Sequence, residues 1–328
     1  MKVTFLFRKR LPGFHSIEEL FYNISQRVEN ELEVVKLEVP YSKFTLKAII
    51  NNFQYIKKNK AGVSHITGHI NYLALATGKR TVLTIHDIQS SFYGGLFHRL
   101  LIKVFWHWLP ALIVKKITVI SEFSKSELEK IIPFAKHKIN VIYNPVNDQL
   151  KYLPKKFNET CPKILLLGTK PNKNLERSLN ALVGIQAKLL IVGKLSQEQS
   201  HLLQSSSFNF QNFENLPYEQ IIELYLESDL VLFPSTYEGF GMPIIEAQAI
   251  GRPVITSNFG AMLEVAGEGA LLVDPFDVDS IREGVGRIIS NEKLRKKLIG
   301  NGLKNIERFQ LETIANQYIR LYKEIERI

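Results

Sequence analysis

Apolar runs of four to seven residues recur along the chain, separated by longer stretches with helical spacing. Residues 3–7 (VTFLF), 34–39, 63–67, 80–85, 116–120 and 139–143 read as buried strands. Between them, 16–32 opens on Ser16 and Glu19 in capping-box spacing, and 44–60 carries apolar residues three and four apart with a basic end. This alternation predicts a parallel sheet with crossover helices. Residues 148–162 hold two prolines and no period, and are expected to be a linker. The alternation then restarts. Strands are predicted at 163–169, 188–193, 230–234 and 252–257, with helices at about 174–184, 196–205, 217–228, 243–250 and 277–290. Residues 311–325 form a last amphipathic helix. The chain is thus expected to be α/β, with one unit over 1–147 and a second over 163–310.

Composition supports a folded protein. Of 328 residues 45% are hydrophobic and 23% charged, enough apolar content for two cores and too much for general disorder. Cys161 stands alone, so no intrachain disulfide forms and a reducing compartment is expected. The opening apolar run precedes its basic cluster, the reverse of a secretory leader, and no stretch is long and apolar enough to span a bilayer. The net charge of +10 is one-sided. Lys and Arg outnumber Asp and Glu 21 to 11 in residues 1–150 and match them 21 to 21 in 151–328. Such a half can attract nucleic acid, anionic lipid or a phosphorylated acceptor, or simply be solvated. Within it, FHRLLIKVFWHWLPALIVKK (97–116) sets Arg99, Lys103 and His107 four apart in an otherwise apolar, aromatic-rich stretch. It reads either as a core crossover helix or as one lying in a membrane interface.

The densest chemistry lies in PSTYEGFGMPIIEAQAIGRPVITSNFGAMLEVAGEGALLVDP, residues 234–275. Glu238 follows a predicted strand and Glu246 is expected in the first turn of the next helix, with Pro243 as its first residue and Gly251 as its stop. A carboxylate pair beside a glycine-rich helix start suits a ligand that carries both hydroxyls and phosphates, such as a nucleotide sugar. Upstream, GTKPNKNLERSLNAL places Lys173 at a loop–helix junction, where an ammonium adds to the positive end of the helix. No histidine spacing or paired-aspartate motif marks a metal site, and no G-x-S-x-G elbow marks a nucleophile.

The 234–275 segment resembles the donor signature of the retaining glycosyltransferases of family four, also called glycosyl transferases group 1. It carries E-x7-E with EGFGMP inside, PVI after it and EVAGEGALLVDP beyond. The resemblance implies a GT-B fold: two Rossmann-like α/β domains facing across a cleft, with helix 311–328 crossing back to the N-terminal domain. It implies transfer of a sugar from a nucleoside-diphosphate sugar to a hydroxyl of a glycan or lipid-linked acceptor, with no cofactor and no metal. Glu238 would hold the transferred sugar, and Gly239, Phe240, Gly241 and Met242 the sugar and phosphate. Glu246 would take the ribose, and Lys173 with Asn174 the diphosphate. Many relatives have an arginine where this chain has Thr169, with Lys170 beside it. Gly13 matches a phosphate-side glycine loop that in relatives often has two glycines. His86, in TIHDIQ, matches a histidine that faces the sugar, and Ser121 and Ser124 are expected to cap a helix. The implied setting is bacterial surface-polysaccharide assembly on the cytoplasmic face of a membrane. Two other classes share parts of this pattern. A GT-B sugar-nucleotide epimerase would give product without an acceptor. A nucleic-acid-binding protein would prefer oligonucleotide to nucleotide sugar, and no basic stripe interleaved with aromatics supports it.

Overall fold

The structure is a computed structural model and describes residues 1–9, 16–42, 45–86, 88, 95, 99–100 and 102–327. The chain divides into two compact units, one of residues 1–145 with 311–328 and one of residues 146–310.

In the first unit six parallel strands run in the order β2-β1-β3-β4-β5-β6. They are β1 (Lys2–Phe7), β2 (Glu33–Glu38), β3 (Val63–Ile66), β4 (Thr81–Ile85), β5 (Lys116–Val119) and β6 (Ile139–Val141). In the second unit the order is β12-β11-β10-β7-β8-β9, again all parallel. Here the strands are β7 (Lys163–Leu167), β8 (Lys188–Val192), β9 (Asn209–Phe213), β10 (Leu230–Phe233), β11 (Val254–Ser257) and β12 (Leu271–Val273). Central strands such as β10 (LVLF) are buried throughout, because helices cover both faces of a parallel sheet. The predicted α/β class and alternation hold. Strands β9 and β12 and the helix Glu292–Asn305 were not expected. β9 reads NFQNF, too polar for a buried run, and lies at the sheet edge.

The helix Leu311–Glu326 belongs to the first unit. Its buried Ile314, Tyr318, Tyr322 and Ile325 pack with Phe5 and Phe21. It also closes a polar chain in that core. His65 on β3 meets the Tyr322 hydroxyl through Nδ1 at 2.5 Å and Thr84 Oγ1 through Nε2 at 2.7 Å. Thr84 meets Thr118 at 2.6 Å. Residues 151–158 have no regular structure, yet Arg252 donates to the Leu153 carbonyl and the Phe157 ring lies 4.2 Å from the Arg295 guanidinium. This stretch is held to the second unit.

Residues 102–116 divide between the two readings offered for that segment. Trp106 packs against the Tyr72 ring, and His107 is buried, so His107 does not continue an outward basic stripe. Leu100, Phe105, Trp108 and Leu112 are exposed instead. The cause is a π-helical turn over Lys103–Trp108, whose Leu109 N–H donates to the Val104 carbonyl. That turn shifts the phase of every later side chain.

Burial drives the His65 imidazole down to about 3 and His107 down to about 4. Both stay neutral in the fold, while in the unfolded chain they take up protons below about 6.5. Their contribution is present above pH 6.5 and is lost as pH falls through the window toward 3 to 4. By pH 5 each should cost about 2 kcal/mol of stability. Melting curves from pH 7.5 to 5 should show a falling Tm, with a shallower slope for His65→Gln. An unchanged slope in that variant would remove His65 from the account.

Candidate active site

In the second unit the strand order reverses between β7 and β10, which lie side by side. Loops leaving the carboxyl ends of two such strands diverge and open a crevice, the usual ligand position in an open parallel sheet. The loop after β7 carries Lys173, and the loop after β10 carries Glu238.

The two loops are stitched together. The Thr236 N–H donates to the Asn172 carbonyl at 2.8 Å. Asn172 Nδ2 donates to the Tyr237 carbonyl at 3.0 Å and to Glu238 Oε1 at 3.2 Å. Lys173 Nζ donates to the same Oε1 at 2.6 Å and lies 4.9 Å from the Phe233 ring centre. The aliphatic stem of Lys173 runs against Gly168, where a Cβ would stand 2.8 Å from Cγ and where φ is +92°. A side chain at 168 would therefore displace the lysine. Both partners of the ion pair are mostly buried, Lys173 at 22% and Glu238 at 15% side-chain exposure, so it is less screened than a surface pair.

Asn174 starts the helix Leu175–Leu182 in the left-handed region, at φ 61°. Its amide donates to the carbonyls of Pro234 at 3.0 Å and Pro275 at 2.6 Å. The side chain is engaged in the frame of the site, pinning the loops after β7, β10 and β12. Thr169 donates its hydroxyl to the Lys194 carbonyl, and Gln199 donates to the Thr169 carbonyl.

Gly241 precedes the helix Met242–Ile250 at φ +104°, and a Cβ there would press on Ile244. Pro243 is the second helical residue, and Glu246 the fifth, so Glu246 sits in the second turn, not the first. Gly251 ends the helix at φ 79°, as its sequence position required. Glu246 is 8% exposed. Tyr218 donates to its Oε1 at 2.9 Å and Tyr225 to its Oε2 at 2.6 Å. Burial raises the Glu246 carboxyl above its ordinary range, opposed by the two tyrosines and by the nearby Lys173 charge. The same burial, with the carboxylate beside it, pushes the Tyr225 phenol well above 10. Neither tyrosine nor Asn172 was singled out from the sequence. The signal for the tyrosines was their i, i+7 spacing in YEQIIELY, which sets both on one helix face.

In the first unit His86 follows β4, and its Nε2 lies 2.9 Å from the Thr67 carbonyl. A carbonyl only accepts, so Nε2 carries the proton and Nδ1 keeps its lone pair. Burial, with His69 and Arg8 adding repulsion, holds His86 down to about 3. It is a neutral ring, not an acid. Phe21 meets it edge-on at 5.5 Å, and a Cβ on Gly68 would stand 2.8 Å from its ring. Ser121 accepts from the Ser124 N–H at 2.9 Å and caps the helix Glu122–Ile131, as expected, whereas Ser124 is the third helical residue and not a cap. Gly13 lies outside the described residues. A cavity of about 640 Å³ opens at the opposite end of the second sheet, lined by Lys155, Asp229, Arg252 and Arg295 among others, and contains neither Lys173 nor Glu238 nor Glu246.

Comparison with solved structures gives the class. The chain matches HepE from Anabaena, solved with UDP and glucose, at a TM-score of 0.78 over 99% of this chain and 100% of that one, with 16% identity. It matches WaaG, a glycosyltransferase involved in lipopolysaccharide biosynthesis, at 0.72 over 98% and 99%, with 14% identity. The fold is that of the GT-B glycosyltransferases. Two family models then cover the halves in turn: Glycosyltransferase Family 4 over residues 17–150 and Glycosyl transferases group 1 over residues 154–305. The chain belongs to this glycosyltransferase family. Among its relatives are O-antigen chain mannosyltransferase B of Escherichia coli, 28% identical over 75% of this chain and 70% of that one, and O-antigen chain mannosyltransferase RfbU of Salmonella typhimurium, 28% identical over 64% and 60%.

Replacing Tyr225 by Phe removes one donor from a buried carboxylate and should cost about 1–3 kcal/mol. Glu246→Ala should cost stability too, since two tyrosine hydroxyls lose their acceptor. A double-mutant cycle of these substitutions by chemical denaturation should give a coupling energy well above zero. Additive values would mean the contact does not stabilise the fold.

Proposed function

We propose that this chain is a retaining hexosyltransferase. It moves a sugar from a nucleoside-diphosphate donor to a hydroxyl of a glycan or lipid-linked acceptor in surface-polysaccharide assembly. The carrying observation is the convergence of Lys173 and Glu238 at the β7–β10 switch point, within the segment matched by the group 1 model. Lys173 serves the diphosphate, whose leaving oxygen gains charge as the glycosidic bond breaks. An ammonium at that place does the work a divalent ion would otherwise do, so transfer is metal-independent. Glu238 holds the transferred sugar near its reacting carbon. Glu246 keeps acceptor capacity after taking its two tyrosine bonds, since each carboxylate oxygen has a second lone pair, and this serves the ribose hydroxyls. Gly239 to Met242 line the sugar and phosphate. Departure and attack occur on one face of the sugar, which preserves the anomeric configuration. The donor is of the GDP-mannose or UDP-hexose type, and mannose leads because both O-antigen relatives are named as mannosyltransferases.

We further place the protein on the cytoplasmic face of a membrane. Among the described residues no helix is long and apolar enough to cross one. Leu100, Phe105, Trp108 and Leu112 are exposed, in the half that carries the positive excess. An anionic surface would attract that half by about 1 kcal/mol per basic residue near it.

These readings are tested together. Calorimetry against GDP and UDP should find one tight ligand, and Glu246→Ala should weaken it by about 1.5–3 kcal/mol. Transfer should survive excess EDTA, and proton NMR of the product should show the donor's anomeric configuration. Loss of activity on chelation, restored by magnesium or manganese, would contradict the role given to Lys173. Phe105→Ser with Leu112→Ser should reduce co-sedimentation with anionic vesicles at unchanged Tm. Trp106→Ala should lower Tm, because its ring packs on the core, at a cost of up to about 3–5 kcal/mol. Vesicle binding unaffected by the exposed pair would sink the membrane placement.

A further inference from the structure

We propose that Glu238 competes with the nucleoside diphosphate for the Lys173 ammonium, and that Asn172 is the positioning residue that keeps Glu238 in place once the diphosphate has taken Lys173. The proposal rests on the donor-site reading above and goes beyond it in naming a competition inside the site and the group that resolves it.

Three observations carry it. Lys173 Nζ and Asn172 Nδ2 converge on one atom, Glu238 Oε1, at 2.6 and 3.2 Å. The charged partner is the movable one. The Lys173 stem is confined by Gly168 and Phe233, but its terminal ammonium can change partner with a small rotation. The neutral partner is fixed. Asn172 donates to the Tyr237 carbonyl while its own carbonyl accepts from the Thr236 N–H and, at 3.3 Å, the Thr236 hydroxyl. A diphosphate carries more negative charge than one carboxylate and outcompetes it for the ammonium. It does not compete for the Asn172 amide, which remains bonded to Glu238. Glu238 therefore has two opposed effects. Its charge weakens binding of a bare nucleoside diphosphate by holding Lys173, and its position is needed when the sugar is present.

The sign of the first effect makes the test sharp. Calorimetry with GDP and with UDP would be run on the wild-type chain, Glu238→Gln, Asn172→Ala and Lys173→Met, with steady-state turnover of the matching donor. Glu238→Gln keeps shape and removes charge. It should bind the bare diphosphate roughly tenfold more tightly than wild type while losing turnover. Lys173→Met should bind it more weakly. Asn172→Ala should leave diphosphate affinity within about twofold, since its amide donates to Glu238 and a backbone carbonyl and carries no charge. It should lower kcat about tenfold or more at little-changed donor KM, because the sugar-holding carboxylate is no longer aligned. Asn172→Asp has the same shape and no donor, and should reproduce the kcat loss if the alanine variant melts early. Glu238→Gln binding no more tightly than wild type overturns the competition. Asn172 variants with wild-type kcat overturn the positioning role. Equal binding by wild type and Lys173→Met, or binding of neither diphosphate by wild type, overturns the donor-site reading itself and this proposal with it.

Discussion

The second unit of this glycosyltransferase depends on one amide. Asn174 is buried, left-handed, and bonded through a single nitrogen to the carbonyls of Pro234 and Pro275. Those carbonyls belong to loops that follow different strands. A buried carbonyl without a partner costs on the order of 1–3 kcal/mol, so two such groups need a shared donor. Asn supplies it, and it is also one of the few residues that tolerates φ near +60°. Lys173 and Asn172 immediately precede it, so the clamp sets where the ammonium and the second amide emerge. The Lys173–Glu238 contact follows from that placement.

The carboxylates of the site are managed in opposite ways. Glu238 sits against a cation and an amide at the crevice. Glu246 is walled in, held by two phenols that cannot neutralise it and can only hydrogen-bond it. Burial pushes Glu246 toward the protonated state, and the tyrosine bonds and Lys173 pull it back. One acid stands at the crevice beside a cation, and the other is buried between two phenols. Seven residues separate them because a turn of three residues ending at Gly241 and the first four residues of the helix lie between.

Much of this was legible in the sequence, and the parts that were not have physical reasons. Strands with two buried faces announce themselves as apolar runs, so β1, β7, β8 and β10 were readable. β9 was not, because an edge strand half open to solvent is written in polar residues. The motif around Glu238 and Glu246 was readable because glycine and proline positions there are dictated by backbone angles. Asn172 was not, since its partner lies 66 residues away and nothing local marks a donor that serves a remote carboxylate, and the shared helix face of Tyr218 and Tyr225 does not by itself say which acid it meets. The segment at 102–116 misled for another reason. Counting in fours assumes 3.6 residues per turn, and the π turn at Lys103–Trp108 breaks that count, turning His107 inward and leaving Trp108 half exposed.

The path of the chain through its two units has a consequence for how the protein is made. Residues 146–310 are contiguous and contain all six strands of their own sheet, so that unit can close as soon as its last residue has left the ribosome. The other unit cannot. Its core includes Tyr318, Tyr322 and Ile325, which are translated after the whole of the second unit. Until they arrive, Phe5, Phe21 and the His65 ring lack their cover, and an apolar face of β1 and β3 waits in solution. The part of the protein made first is thus finished last, and that interval is when it is most open to aggregation or to a chaperone.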